Sequence, residues 1–101
     1  MTAAKTTKAV EKETKFMKQE EFTHEATGTK YVFQYPGTRA MQTILDDAKR
    51  NGYLSDTIYN EHLMEQVIVS PQTDWEYWDE HDGYTEVMSA ADRFLGKLLH
   101  R

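Results

Sequence analysis

Apolar and polar positions alternate along the chain between Phe22 and Tyr35, where Tyr31, Phe33 and Tyr35 are separated by Val32 and Gln34. A period of two is the mark of a strand with one buried face. Ala26-Thr27-Gly28-Thr29 supplies a glycine-containing turn, so residues 21–35 are predicted to form a β-hairpin. Pro36-Gly37 ends it, because proline gives no N–H to a ladder and glycine frees the backbone.

Beyond Gly37 the spacing changes to three and four. Ala40, Met41, Ile44, Leu45 and Ala48 share one face of a helix expected over residues 38–50, with Thr38 as its N-cap and Asn51-Gly52 as its stop. Lys49 and Arg50 suit the negative end of its dipole. A second helix is predicted from Ser55 or Asp56, one of which caps it, to Val67, with Ile58, Tyr59, Leu63, Met64 and Val67 inward. The connection over residues 51–54 is short, which predicts antiparallel packing of the two helices. Val67-Ile68-Val69-Ser70-Pro71 then abandons helical spacing, and its β-branched residues ahead of Ser-Pro read as an extended, buried segment. Thr73-Asp74-Trp75-Glu76 fits a capping box with Thr73 as the cap, opening a short helix that closes near His81 before Asp82-Gly83. The last helix, over residues 84–99, has the clearest apolar face: Tyr84, Val87, Met88, Ala91, Phe94, Leu95, Leu98 and Leu99. These elements predict an α+β, mainly helical domain over residues 21–101, in which an N-terminal β-hairpin is followed by three to four helices.

Composition narrows the setting. A chain of 101 residues holds one domain, and the absence of cysteine excludes disulfides, thiolate zinc sites and a cysteine nucleophile. The longest aliphatic run, Val67-Ile68-Val69, falls far short of the roughly 20 apolar residues that span a bilayer. No apolar h-region is present near Met1, so the expectation is a small soluble intracellular domain with no membrane partner. Net charge is −5, unevenly spread: residues 1–20 hold five Lys and three Glu, a net of +2, which leaves −7 for the rest. Val10, Phe16 and Met17 are the only sizeable apolar residues there, too few to offset ordering entropy, so residues 1–20 read as a flexible basic tail. The acidic remainder would repel a phosphate backbone, which argues against nucleic acid.

Candidate chemistry concentrates in residues 74–86, where Asp74, Glu76, Asp79, Glu80, Asp82 and Glu86 interleave with Trp75, Tyr77, Trp78 and Tyr84. A calcium loop with Gly83 at its sixth position would need ligands where Trp78 and Ser89 stand, so it fails. Asp79, His81 and Asp82 are the residues a small metal-dependent hydrolase would use, but no spacing sets them across a cleft. His24, His62, His81 and His100 show no metal-ligand spacing and read as surface or interface histidines. The glycines are scattered rather than gathered into a phosphate loop, and no serine sits in a nucleophile elbow. No catalytic residue, metal or cofactor is expected. What remains is binding: Trp75 and Trp78 as aromatic anchors for a basic partner, and Leu95, Leu98 and Leu99 at the end of the last apolar stripe. A core of this size is marginal alone, which favours self-association or a larger partner.

Residues 21–101 hold, in order, Lys30-Tyr31-Val32-Phe33-Gln34-Tyr35-Pro36-Gly37, an Arg39-containing helix, Val67-Ile68-Val69-Ser70-Pro71, the aromatic-acidic residues 75–82, and Gly83-Tyr84-Thr85-Glu86-Val87 leading to Ala90-Ala91-Asp92-Arg93-Phe94-Leu95. In this they resemble the small tail assembly chaperones of long-tailed bacteriophages. The basic residues 1–20 lie outside the resemblance. The resemblance implies a non-enzymatic protein of the bacterial host cytoplasm that binds the tape measure protein, keeps it soluble, helps recruit tail-tube subunits, and is absent from the finished virion. It also implies, in many such genes, a −1 frameshift that would join a second domain near Gly96-Lys97-Leu98. The alternative is a structural virion component, a head–tail joining or tail-completion protein.

Overall fold

The computed structural model describes residues 16–99. The folded unit is α+β, with helix outweighing strand, 54% to 23%. Strand β1 (Gln19–His24) pairs antiparallel with β2 (Thr29–Gln34), in a register that sets Phe22 opposite Tyr31 and Glu20 opposite Phe33. The ladder continues below Gln19 through Met17 N–H to the Tyr35 carbonyl (3.0 Å) and Tyr35 N–H to the Lys18 carbonyl (2.8 Å). Residues 16–20 therefore belong to the folded unit rather than to a tail, and the tail expectation for residues 1–15 lies outside the described residues.

Helix α1 (Thr38–Ala48) begins one residue earlier than a Thr38 cap would allow. Gly37 occupies the cap position without a side-chain bond, and the Thr38 hydroxyl instead meets the Tyr35 hydroxyl at 2.9 Å. The helix also stops two residues short of Arg50. Lys49–Arg50 forms β3, which pairs with β4 (Tyr53–Leu54) around Asn51-Gly52. Both turn residues have positive φ, 52° and 84°, the conformation a two-residue hairpin needs and Asn-Gly supplies. What reads as a helix stop is thus a miniature hairpin.

Helix α2 (Asp56–His62) is capped by Ser55, whose hydroxyl accepts from Ile58 N–H at 3.3 Å, and it widens into a π-helical turn over Leu63–Val67. That turn buries Leu63, Met64 and Val67 and delivers the chain into β5 (Ile68–Ser70), which pairs antiparallel with β2. The sheet order is β1-β2-β5. The extended segment expected over residues 67–71 is a strand over Ile68–Ser70 only, since Val67 closes the π-helical turn; of β5, Ile68 is buried and Val69 and Ser70 face outward. Helix α3 (Trp75–Glu80) is capped by Asp74, whose carboxylate accepts from Tyr77 N–H at 2.7 Å. Thr73 is not the cap: its hydroxyl is enclosed without a partner. Helix α4 (Tyr84–Leu99) then runs back across the sheet.

The core lies between the inner face of the sheet and the helices. Tyr31, Phe33 and Tyr35 meet Met41, Ile44, Leu63, Val67, Val87, Ala91, Phe94 and Leu95 there, all buried. Phe33 packs on Phe94 with ring centroids 5.9 Å apart and on Phe22 at 6.2 Å. The outer face of the sheet, with Gln19, Glu21, Thr23 and Lys30, is exposed. No described helix is long and apolar enough to cross a membrane.

Candidate functional site

Of the residues singled out for binding, the structure separates core from surface. Leu95 is fully buried, so its contribution is to stability; Leu98 and Leu99 are half-buried and pack on the same core. Trp78 is half-buried and faces inward, stacked on Tyr31 (5.8 Å, 25° between planes) and edge-on to Tyr77 and Tyr84. Its indole N–H is enclosed without a partner. Trp75 is the exposed member at 38%, tilted against Tyr84 and donating its indole N–H to a Glu61 carboxylate oxygen at 2.8 Å. The tryptophans therefore serve first as anchors that fix α3 to β2, α2 and α4.

The Tyr31 hydroxyl lies 2.9 Å from that of Tyr77. Burial, reinforced by this bond, pushes the Tyr31 phenol well above its ordinary pKa. His81 stacks flat on Tyr77 at 3.9 Å and donates Nδ1–H to the Tyr77 carbonyl, which closes the short helix. Asp79 and Asp82 lie exposed, and among the described residues no group of three or more His, Asp or Glu side chains is placed to hold a metal ion.

His24 departs from the surface expectation. It is buried, with Nδ1 at 2.9 Å from the Thr27 hydroxyl and Nε2 at 4.0 Å from a Glu86 oxygen. Its ring rests on Gly83, where a Cβ would sit 3.0 Å from the imidazole, and Gly83 also has φ of 108°. Gly83 thus does more than end α3: it admits the histidine that ties the hairpin to the start of α4. His62 is half-buried, with Nε2 at 3.2 Å from Asp47 and Nδ1 at 3.8 Å from Glu65, so it bridges α1 to the π-helical turn. His100 lies outside the described residues.

An open groove of about 650 Å³ lies between α2 and α4. Two hydrogen bonds cross it: Tyr59 hydroxyl to Asp92 at 2.7 Å and Asn60 amide to the Tyr84 hydroxyl at 2.8 Å. Leu54, 43% exposed, and Met88 give it apolar surface, and Ser89 and Arg93 line its far wall. Tyr53, 78% exposed, projects beside Leu54 from the β3–β4 hairpin.

No known protein family, curated protein or solved structure matches this chain.

The groove itself is not legible in the sequence, because its walls are distant in the chain. One signal for it is. Residues 51–92 contain ten carboxylates and no Lys or Arg, a longer cation-free run than the acidic-aromatic residues 74–86 alone. Both walls of the groove up to Asp92 come from that run.

Proposed function

We propose that this chain is a tail assembly chaperone of a long-tailed bacteriophage or prophage. In that role it is non-enzymatic, binds the tape measure protein in the host cytoplasm, keeps it soluble, and helps bring tail-tube subunits to it. The observation that carries the reading is the order of the segments on which the resemblance rests. They fall in order on β2, on α1, on the end of the π-helical turn with β5, on α3 and on α4, and so include the central strand, one edge strand and the helix that covers them.

Two features of the surface support a binding module. Both sheet edges are guarded: β1 turns Glu20 inward to an ion pair with Lys97 at 2.9 Å, and β5 is three residues long and followed by Pro71. Further strand addition to the three-stranded sheet is disfavoured, so docking on side chains suits a partner better than pairing with a strand edge. The helices in turn present an open groove with a charged rim. Co-expression with the tape measure protein encoded beside it tests the reading. A soluble complex that co-elutes is expected; a tape measure protein equally insoluble with and without this chain would remove it. Abundant peptides of this chain in purified virions would favour a head–tail joining or tail-completion protein instead.

A further inference from the structure

We propose that the groove between α2 and α4 receives a cationic amphipathic helix from a protein partner. The inference rests on the binding-module reading and names the chemistry of what is bound. Charge carries the first part of it. Among the described residues there are fifteen carboxylates and seven Lys or Arg, since Glu11 and Glu13, and Lys5, Lys8, Lys12, Lys15 and Arg101, lie outside them. The groove is built largely from the cation-free run of residues 51–92: Asp56 and Asp92 line it, with Arg93 as its one lining cation, and Glu61 lies one residue beyond Asn60 on α2. A basic partner approaches such a surface faster and loses less on docking than an acidic one.

The shape of the groove carries the second part. Its walls are α2 and α4 with Leu54 of β4 beside them, the edges of the three-stranded sheet are guarded, and its apolar surface is intermittent, from Leu54, Met88 and Tyr84. Apolar anchors spaced three and four apart on one face of an incoming helix suit such a groove, with lysines flanking that face held over the carboxylates. Asn60 and Ser89 leave polar atoms along the walls for the rim of that helix.

The test uses the full chain and a synthetic helical Leu/Lys peptide of about 18 residues, with a Leu/Glu peptide of the same pattern as the control. The Leu/Lys peptide is expected to bind, shift the amide resonances of residues 54–60 and 84–93, and lose its affinity with added salt. Ser89→Arg and Leu54→Asp, both at exposed positions, should weaken it by about tenfold or more, whereas Thr43→Arg on the exposed side of α1 should change it by less than about twofold. Absence of binding, equal binding of the Leu/Glu peptide, or indifference to Ser89→Arg would overturn the proposal. So would a Ser89→Arg chain that dissociates a wild-type oligomer, because a second copy would then be the occupant. Retention of the tape measure protein by Ser89→Arg would sink the groove and spare the chaperone; a wild-type chain that fails to hold that protein would sink the chaperone, whatever the peptide does.

Discussion

The two sides of α4 are built on different physics. On the side facing the sheet, Val87, Ala91, Phe94 and Leu95 are buried against Phe33 and its neighbours, and the contact is apolar. On the side facing α2, the same helix is joined by hydrogen bonds from Tyr59 to Asp92 and from Asn60 to Tyr84, across a groove open to solvent. Burial of apolar surface is strong and not directional, so the first side fixes the fold. A hydrogen bond near solvent exchanges with water at little net gain, so the second side can give way to a ligand without unfolding the rest.

The largest effects should therefore come from the sheet side. Leu95→Ala should cost about 2–5 kcal/mol of stability, read by chemical denaturation, because it empties a fully buried site. A cost under about 1 kcal/mol would mean that this side is not the dry one. Alkali tests the same side. Tyr31 holds its proton more tightly folded than unfolded, so its contribution is complete below the unfolded value of about 10 and is lost progressively as pH rises above it. Unfolding of the wild-type chain should become easier above about pH 10, and Tyr31→Phe should flatten that slope while leaving neutral-pH spectra native.

The groove side should respond less. Tyr84→Phe keeps the ring contacts with Trp75 and Trp78 but removes the acceptor of the Asn60 bond, for an expected loss of about 0.5–1.5 kcal/mol. Combined with Asn60→Ala, the double-mutant cycle should return a coupling of similar size. A coupling as large as the Leu95→Ala loss would erase the distinction between the two sides.

Periodicity made the dry side legible, because a period of two or of three and four reports burial directly. The hairpin and the bounds of α4 are readable that way, whereas the choice of Ser55 over Asp56 as the cap of α2 is not. Short-range chemistry was less readable where two residues compete for one role. Thr73 and Asp74 both qualify as caps, and the carboxylate takes the Tyr77 amide. Asn51-Gly52 ends a helix in one context and turns a hairpin in another, and the backbone of Lys49 and Arg50 decides between them. The π-helical turn at Leu63–Val67 leaves no sequence trace, since its residues keep a plausible α-helical face. The groove depends on how distant elements meet, so only its charge could be read.

The cap assignment gives a smaller test. Asp74→Ala should destabilise by about 1 kcal/mol, while Thr73→Val, which removes an enclosed hydroxyl with no partner, should be neutral or slightly stabilising. The reverse order would return the cap to Thr73.

The smallest expected effect is at the Lys97–Glu20 pair, where α4 crosses the edge of β1. Both side chains are largely exposed, at 64% and 42%, so water and salt screen the attraction, and Lys97→Ala should cost no more than about 0.5 kcal/mol. If removal of the pair costs little in stability but leads to concentration-dependent association, the ion pair acts by holding Glu20 inward to guard the β1 edge, and sedimentation at rising protein concentration would show it. A variant that stays monomeric would mean that the edge is guarded by Glu21 and Glu25 on the strand and its turn, and that Lys97 is only a solvated end of the helix.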